Sequence, residues 1–343
     1  MSDSKQKKEA PQNNNSLPSY AEHFGNIRVL GELMREPANR PWQTILPQSP
    51  EHHKYVVWLG CHVVRTAHLA ETLDDLLNYL GEDFVTLGGP SNCCGITHEK
   101  RGDTEIGRNM LRQTSAKFDA FSPNAMLCWC PSCDQQLRTA PQEALSQTTK
   151  DRLSVAKFLS LKSENLTLNN IGAGSIALHW HGGTAEQEED AEAVLKLLSF
   201  IPGLKVKALP AELELGRHCA EGNVAKYGTE RYRAQILNSI GLARDAGATH
   251  LGSIYHSCHR EMILAQQTLL PEQRMPVVNY LTLFAAALGL AEREDRYAHH
   301  AEIMDVERSL LELEPTIAQL KLNPAHAERA LRANFLPKKI ALS

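Results

Sequence analysis

This sequence has no apolar run near the roughly 18 residues that a membrane-spanning helix needs. Its longest, LTLFAAALGL at 281–290, falls well short. It has little net charge: 343 residues carry a formal −4, so no global field draws it to nucleic acid or to an anionic membrane. The N-terminal stretch MSDSKQKKEAPQNNNSLPSY has no signal-peptide apolar core. It cannot bury enough surface to offset its ordering, so it reads as a solvated tail in which Lys5, Lys7 and Lys8 aid solubility. These absences point to the cytoplasm. A phosphate-cradling glycine loop is also missing, because IGAGS at 171–175 precedes an expected strand instead of following one. With no nicotinamide or flavin fingerprint, electrons for any redox step would have to enter from a partner protein.

What is present is a globular composition, 42% hydrophobic and 22% charged, with length enough for two domains. It also has eight cysteines, at 61, 93, 94, 128, 130, 133, 219 and 258. In a reducing compartment, clustered cysteines favour metal binding or redox chemistry over structural disulfides. Short apolar runs lead into them. KYVVWLG stops at Cys61, DFVTLGG just before Cys93, and NAMLCW runs into Cys130. SIALHW covers His179 and stops at His181, LKVKAL precedes His218 and Cys219, and HLGSIY runs toward Cys258. Such runs read as buried strands. Amphipathic stretches at 67–81, 107–121, 188–201 and 230–247 read as helices, with Gly81 and Gly247 as C-caps. Strands alternating with helices imply parallel sheets, whose ligand sites lie beyond the strands' carboxyl ends.

The chain repeats itself with an offset of 125. Cys93-Cys94-Gly95 maps to His218-Cys219-Ala220, Ser132-Cys133 to Ser257-Cys258, and Thr104-Glu105 to Thr229-Glu230. The expected fold is therefore α/β, as two pseudo-symmetric halves, each a small, mostly parallel sheet flanked by helices, with metal sites at strand carboxyl ends. The expected organisation is a polar tail and partner-binding extension at 1–50, a first half at 51–150, a second, degenerate half at 151–294 and a helical extension at 295–343. That last segment is read either as a docking element for another protein or as a plain packing helix.

In the first half the spacing is Cys61, 31 residues, Cys93-Cys94-Gly95, 34 residues, Cys130-Pro-Ser-Cys133. Four thiolates would complete a zinc or cubane iron–sulfur site, and five is one too many for either. Gly95 suits a backbone passing close to a bulky cluster. WCPSC at 129–133 alone would suit a thioredoxin-type dithiol, but that accounts for two cysteines and not five. Cys128 reads as a small packed residue, since Ser253 is its repeat equivalent. His62 and His98 flank the motif as proton donors to sulfur, as hydrogen-bond partners, or as ordinary packed histidines. His259 and Arg260 follow Cys258 in the same way.

The pattern of a cysteine, then CCG, then CxxC resembles the cysteine-rich CCG domain found in the B-type subunits of heterodisulfide reductases. Relatives occur in glycerol-3-phosphate and lactate dehydrogenase subunits and in some succinate dehydrogenase or fumarate reductase assemblies. The resemblance covers roughly 55–290 and includes PVVNYLTLFAAALGL as the last strand and helix. It implies a noncubane 4Fe–4S cluster on Cys61, Cys93, Cys94, Cys130 and Cys133. In the second half the motif departs, to His179-Trp-His181, His218-Cys219-Ala220 and Tyr255-His256-Ser257-Cys258. Two cysteines with one or two histidines suit tetrahedral zinc, so His179, His181, His218, Cys219 and Cys258 are the candidates. A decayed repeat whose histidines only hydrogen-bond is the other reading.

The resemblance implies an iron–sulfur subunit of a heterodisulfide-reductase-like complex, moving electrons to or from a sulfur or disulfide substrate or carrier. Its partners would be an iron–sulfur electron-transfer subunit and the other subunits of that complex. One complete motif of two leans toward the sulfur-oxidising bacterial type. The alternatives are an electron-relay or anchoring subunit of a dehydrogenase complex with no sulfur substrate, and a structural adaptor.

Overall fold

The computed structural model describes residues 18–141 and 145–335. Residues 1–17 of the expected tail, with Lys5, Lys7 and Lys8, lie outside the described residues, as do 336–343 at the other end.

Eight strands form two sheets. They are β1 (Tyr55–Gly60), β2 (Phe84–Gly88), β3 (Ala125–Cys128), β4 (Arg152–Ser154), β5 (Ser175–His179), β6 (Lys205–Ala208), β7 (His250–Ser253) and β8 (Val277–Asn279). The strand orders are β2-β1-β3-β4 and β6-β5-β7-β8, and every pairing is parallel. The two halves therefore share one topology. Val56, Val57, Trp58 and Leu59 of β1 are fully buried, as expected of a central parallel strand covered by helices on both faces. The equivalent β5 buries Ile176, Ala177 and Leu178.

The offset between halves locates the insertion. β3 and β7 begin at 125 and 250, while β1 and β5 begin at 55 and 175, a difference of 120. The extra residues of the second half lie in the 209–217 loop that leads to His218. The first sheet also runs past residue 150, because β4 pairs with β3 through Met126–Arg152 and Cys128–Ser154.

The halves pack reciprocally. The Val155–Lys162 helix after β4 packs on Ala185–Ser199 of the second half. Its counterpart after β8, Tyr280–Ala287, packs on Ala67–Tyr79 of the first half. Such an exchange is what an isologous contact between two copies would leave after gene fusion. Tyr20–Met34, within the segment expected to be an extension, is a helix capped by Ser19. It buries Ile27, Leu30 and Leu33 against Pro324–Phe335 and the Val63–Thr66 turn.

The loop after β2 is held tightly. Trp58 Nε1 donates to the Asn92 carbonyl at 2.8 Å, Asn92 Nδ2 donates to the Gly88 carbonyl at 2.9 Å, and Thr114 Oγ1 donates to the Cys93 carbonyl at 3.0 Å. Gly95 follows at φ +82°, and a Cβ there would sit 2.2 Å from the Gly107 carbonyl oxygen of the Thr104–Asp119 helix. This corrects the expected role of that glycine: it clears a helix backbone, not a cluster. The glycine beside the sulfurs is Gly60, at φ +69°, where a Cβ would lie 2.7 Å from Cys133 Sγ. Gly95→Ala combines a left-handed strain with an overpacked contact, and should cost about 3 kcal/mol or more. Urea unfolding of the wild type and the variant checks this, and a cost under about 1 kcal/mol would mean that the loop simply relaxes.

Candidate metal centres

The carboxyl ends of β1, β2 and β3 meet at one buried pocket. Cys61 follows Gly60 at the end of β1. Cys93 and Cys94 follow the Pro90–Asn92 turn after β2. Cys130 is the N-cap of the Pro131–Thr139 helix, and Cys133 lies in that helix's first turn. Proline at the first helical position fixes the helix start, so CxxC presents both sulfurs from one turn. All five cysteines are at least 93% buried. Cys61 and Cys93 sulfurs are 3.5 Å apart, and hydrogen bonds link Cys93 with Cys94, Cys94 with Cys133, and Cys133 with Cys130. The structure therefore brings together the five cysteines of the first motif.

These thiols cannot all ionise alone. Cys93 is held well below the ordinary thiol range, first by its hydrogen bond from Cys61 and then by that from Cys94. Cys61 is raised for the same reason, as the donor of that bond. Cys130 is lowered by its hydrogen bond from Cys133, while Cys133 is pushed up by burial first. Cys94 rises too: its hydrogen bond with Cys133 lowers it, but its bond to Cys93 and burial outweigh that. By itself the cage makes ionisation easier at Cys93 and Cys130 and harder at Cys61, Cys94 and Cys133. Five thiolates need several positive charges among them, and a multi-iron cluster provides these. Trp129, next to Cys130, has its Nε1–H buried without a partner, and its ring lies 5.9 Å from that of His256, which burial keeps neutral with a single N–H. A buried N–H next to Cys130 suits the sulfides of a cluster. The residues present fit an iron–sulfur group.

Cys128 places its sulfur 3.6 Å from the Cys130 carbonyl oxygen, and burial raises its thiol well above the ordinary range. His98 stacks on Tyr20 with ring centroids 3.8 Å apart. His62 Nδ1 meets the Arg65 guanidinium at 2.5 Å.

The second half gathers a different set. His179, His181, Cys219 and Cys258 each offer a ligand atom, all within 4.8 Å of one another, and all four are buried. The two Nε2 atoms are 3.1 Å apart, Cys219 Sγ lies 3.5 and 3.4 Å from them, and Cys258 Sγ is 3.3 Å from His181 Nε2. Tetrahedral zinc with the usual bond lengths sets ligand separations of about 3.3–3.8 Å. The opposite ring nitrogens are already engaged: His179 Nδ1 with Ser239 Oγ at 3.1 Å, and His181 Nδ1 with the Gly216 carbonyl at 2.7 Å. These bonds aim both Nε2 atoms inward. Burial opposes ionisation of Cys258, but its hydrogen bond from Cys219 and the nearby His181 prevail, holding it well below the ordinary range. The donor set fits one zinc ion.

His218, also among the candidates, is not one of these four residues. Its Nδ1 meets Ser257 Oγ at 2.6 Å and its Nε2 meets Ser132 Oγ at 2.6 Å, so both nitrogens are taken. Burial pushes its pKa down to about 3, so it stays neutral. It bridges the halves, linking the CxxC helix of one cage to the helix carrying Cys258. The repeat alignment pairs Ser132 with Ser257, and that pairing is the signal that both serines share a role. His259 faces Asp295, not the four-ligand group.

The fold and the two cages define a duplicated α/β metal-binding protein with a thiol-rich first half. Residues 55–138, which carry the five cysteines of the first cage, match the profile described as CCG, cysteine-rich domain. The chain is 22% identical over 244 residues to a subunit of the dihydromethanophenazine:CoB–CoM heterodisulfide reductase of Methanosarcina acetivorans, covering 69% of this chain and 59% of that protein. It is 26% identical over 95 residues to "EtfAB:quinone oxidoreductase" of Syntrophomonas wolfei, covering 27% of this chain and 13% of that one. The chain thus spans somewhat over half of the first relative and a small part of the second. Among solved structures, a hypothetical protein from Helicobacter pylori matches at TM-score 0.53 and 13% identity, covering 83% of this chain and 57% of that one. That likeness concerns the fold alone.

The geometry predicts that His181→Gln and Cys219→Ser each abolish zinc binding at the four-ligand cage, whereas His218→Ala leaves zinc content at the wild-type level. Zinc per chain, measured by mass spectrometry on purified protein, checks all three. Zinc lost with His218→Ala alone would contradict the assignment.

Proposed function

We propose that this chain is the iron–sulfur subunit of a multi-subunit, heterodisulfide-reductase-like oxidoreductase. In this reading it exchanges electrons with a sulfur or disulfide substrate. Cys61, Cys93, Cys94, Cys130 and Cys133 hold a noncubane 4Fe–4S cluster, which supplies one-electron steps when bound. His179, His181, Cys219 and Cys258 hold zinc, and four protein ligands make that site closed and structural. The observation that carries the reading is the convergence of five buried thiols from three strand ends.

A cleft between the halves supports a sulfur substrate over a pure relay. It reaches Cys130 and Trp129 from the first half, and is walled by Arg217, Asp190 and Tyr255 from the second. Arg152 and Arg138 line it but are committed to Asp134 at 2.8 and 2.6 Å. Arg217 makes no ion pair among the described residues, so its guanidinium is available to an anionic ligand. Buried Tyr255 donates to Asp190 at 2.9 Å, which sets the floor of the cleft. No helix among the described residues is long and apolar enough to cross a membrane. A cytoplasmic setting with an iron–sulfur partner subunit completes the proposal.

The second reading is an electron relay or anchor in a dehydrogenase complex, with the quinone oxidoreductase relative as its support. Anaerobically purified protein should contain about four irons per chain. Cys94→Ser should lose most of that iron and Cys128→Ser none. An anionic thiol or disulfide should change the EPR spectrum of the oxidised wild-type protein and leave that of Arg217→Ala largely unchanged. No change with the wild type would favour the relay, and iron-free protein would end both readings.

A further inference from the structure

We propose a third metal site, formed by His68, His259 and Asp295, which takes a divalent transition ion such as zinc. The three residues come from three separate parts of the chain. His68 lies on the Ala67–Tyr79 helix of the first half and His259 on the His256–Gln266 helix of the second. Asp295 is the N-cap of the Arg296–Ile303 helix in the C-terminal part. Their ligand atoms all lie within 4.8 Å of one another, and both imidazoles are buried. Two imidazoles and a carboxylate are the protein ligands of open zinc and ferrous sites.

The geometry within the group suits a shared ion. His68 Nδ1 is 3.3 Å from Asp295 Oδ1, longer than the roughly 2.7–2.9 Å of a charge-assisted hydrogen bond. It matches the separation of about 3.3 Å between two nitrogen or oxygen ligands on one tetrahedral zinc. His259 Nε2 faces the other oxygen, Oδ2, at 2.7 Å, a hydrogen-bond distance that an ion between them would open slightly. The Ala298 amide donates to Oδ1 at 2.9 Å and fixes the carboxylate. Two neutral imidazoles and one carboxylate leave a divalent ion with one positive charge and at least one position for water, and the Asp295 side is the partly exposed one.

This site is distinct from the four-ligand cage although His259 follows Cys258. Successive helical residues point about 100° apart, so Cys258 faces its own half while His259 faces the first. An ion here would tie both halves and the C-terminal helices at one point. The proposal is independent of the iron–sulfur reading.

The test measures zinc and iron per chain in full-length protein produced with added zinc and dialysed against metal-free buffer. The wild type should hold about two zinc ions. Asp295→Asn and His68→Gln should each lose one, half the total, with iron unchanged, whereas Cys219→Ser should lose the other. If those variants fail to fold, cobalt(II) titration of the wild type decides. Two equivalents should then bind, only one giving a thiolate charge-transfer band. A single zinc lost with Cys219→Ser, wild-type zinc in both triad variants, or one cobalt equivalent would overturn the proposal. A single zinc kept in Cys219→Ser but lost in Asp295→Asn would support it and sink the four-ligand zinc instead.

Discussion

Thiolates do not share a dry pocket without cations. Cys61 and Cys93 sulfurs sit 3.5 Å apart and buried. At an effective dielectric of about 20, two full negative charges at that distance repel by roughly 5 kcal/mol, and five such charges multiply the cost. The rest of the architecture follows from meeting that constraint. Parallel sheets deliver three strand ends to one place, glycine clears the backbone beside the sulfurs, and a proline-started helix turns two more thiols inward.

The same constraint explains how the two halves differ. They share strand order, helix placement and a reciprocal packing contact, yet their cages carry different charge. The first supplies up to five negative charges, a match for several iron ions and no match for one zinc. In the second, histidine replaces cysteine at the end of β5, and His218 and Tyr255 replace the counterparts of Cys93 and Cys130. Two cysteines and two histidines remain, a donor set whose charge as thiolates and neutral imidazoles one divalent ion would balance. Divergence has traded charge for charge, leaving the strand order unchanged. His218, outside the four-residue group, bonds serines of both halves and joins the two cages mechanically.

Much of this was legible in the residues themselves. Runs such as VVWL and IALH announce central strands because β-branched and apolar side chains suit burial on both faces. The constant offset exposed the duplication, and cysteine spacing located the first cage. Where the reading fell short, the cause was tertiary. Nothing local says that the His218 ring turns from its neighbour Cys219 toward two serines, because ring direction depends on partners 39 and 86 residues away. Gly95 had the right residue type for a different close approach. The Tyr20–Met34 helix was missed because the polar residues before it set the expectation for the whole segment. His68 and Asp295 belong to no motif, as only the packed halves bring them together.

The central claim is that each cage is matched in charge to a different metal group. X-ray absorption at the iron and zinc edges of one anaerobically prepared sample tests it most directly. The account predicts iron in an all-sulfur, multi-iron environment. It also predicts a zinc signal that includes sulfur at about 2.3 Å as well as nitrogen at about 2.0 Å. Iron bound as isolated ions, or zinc surrounded by sulfur alone, would contradict it.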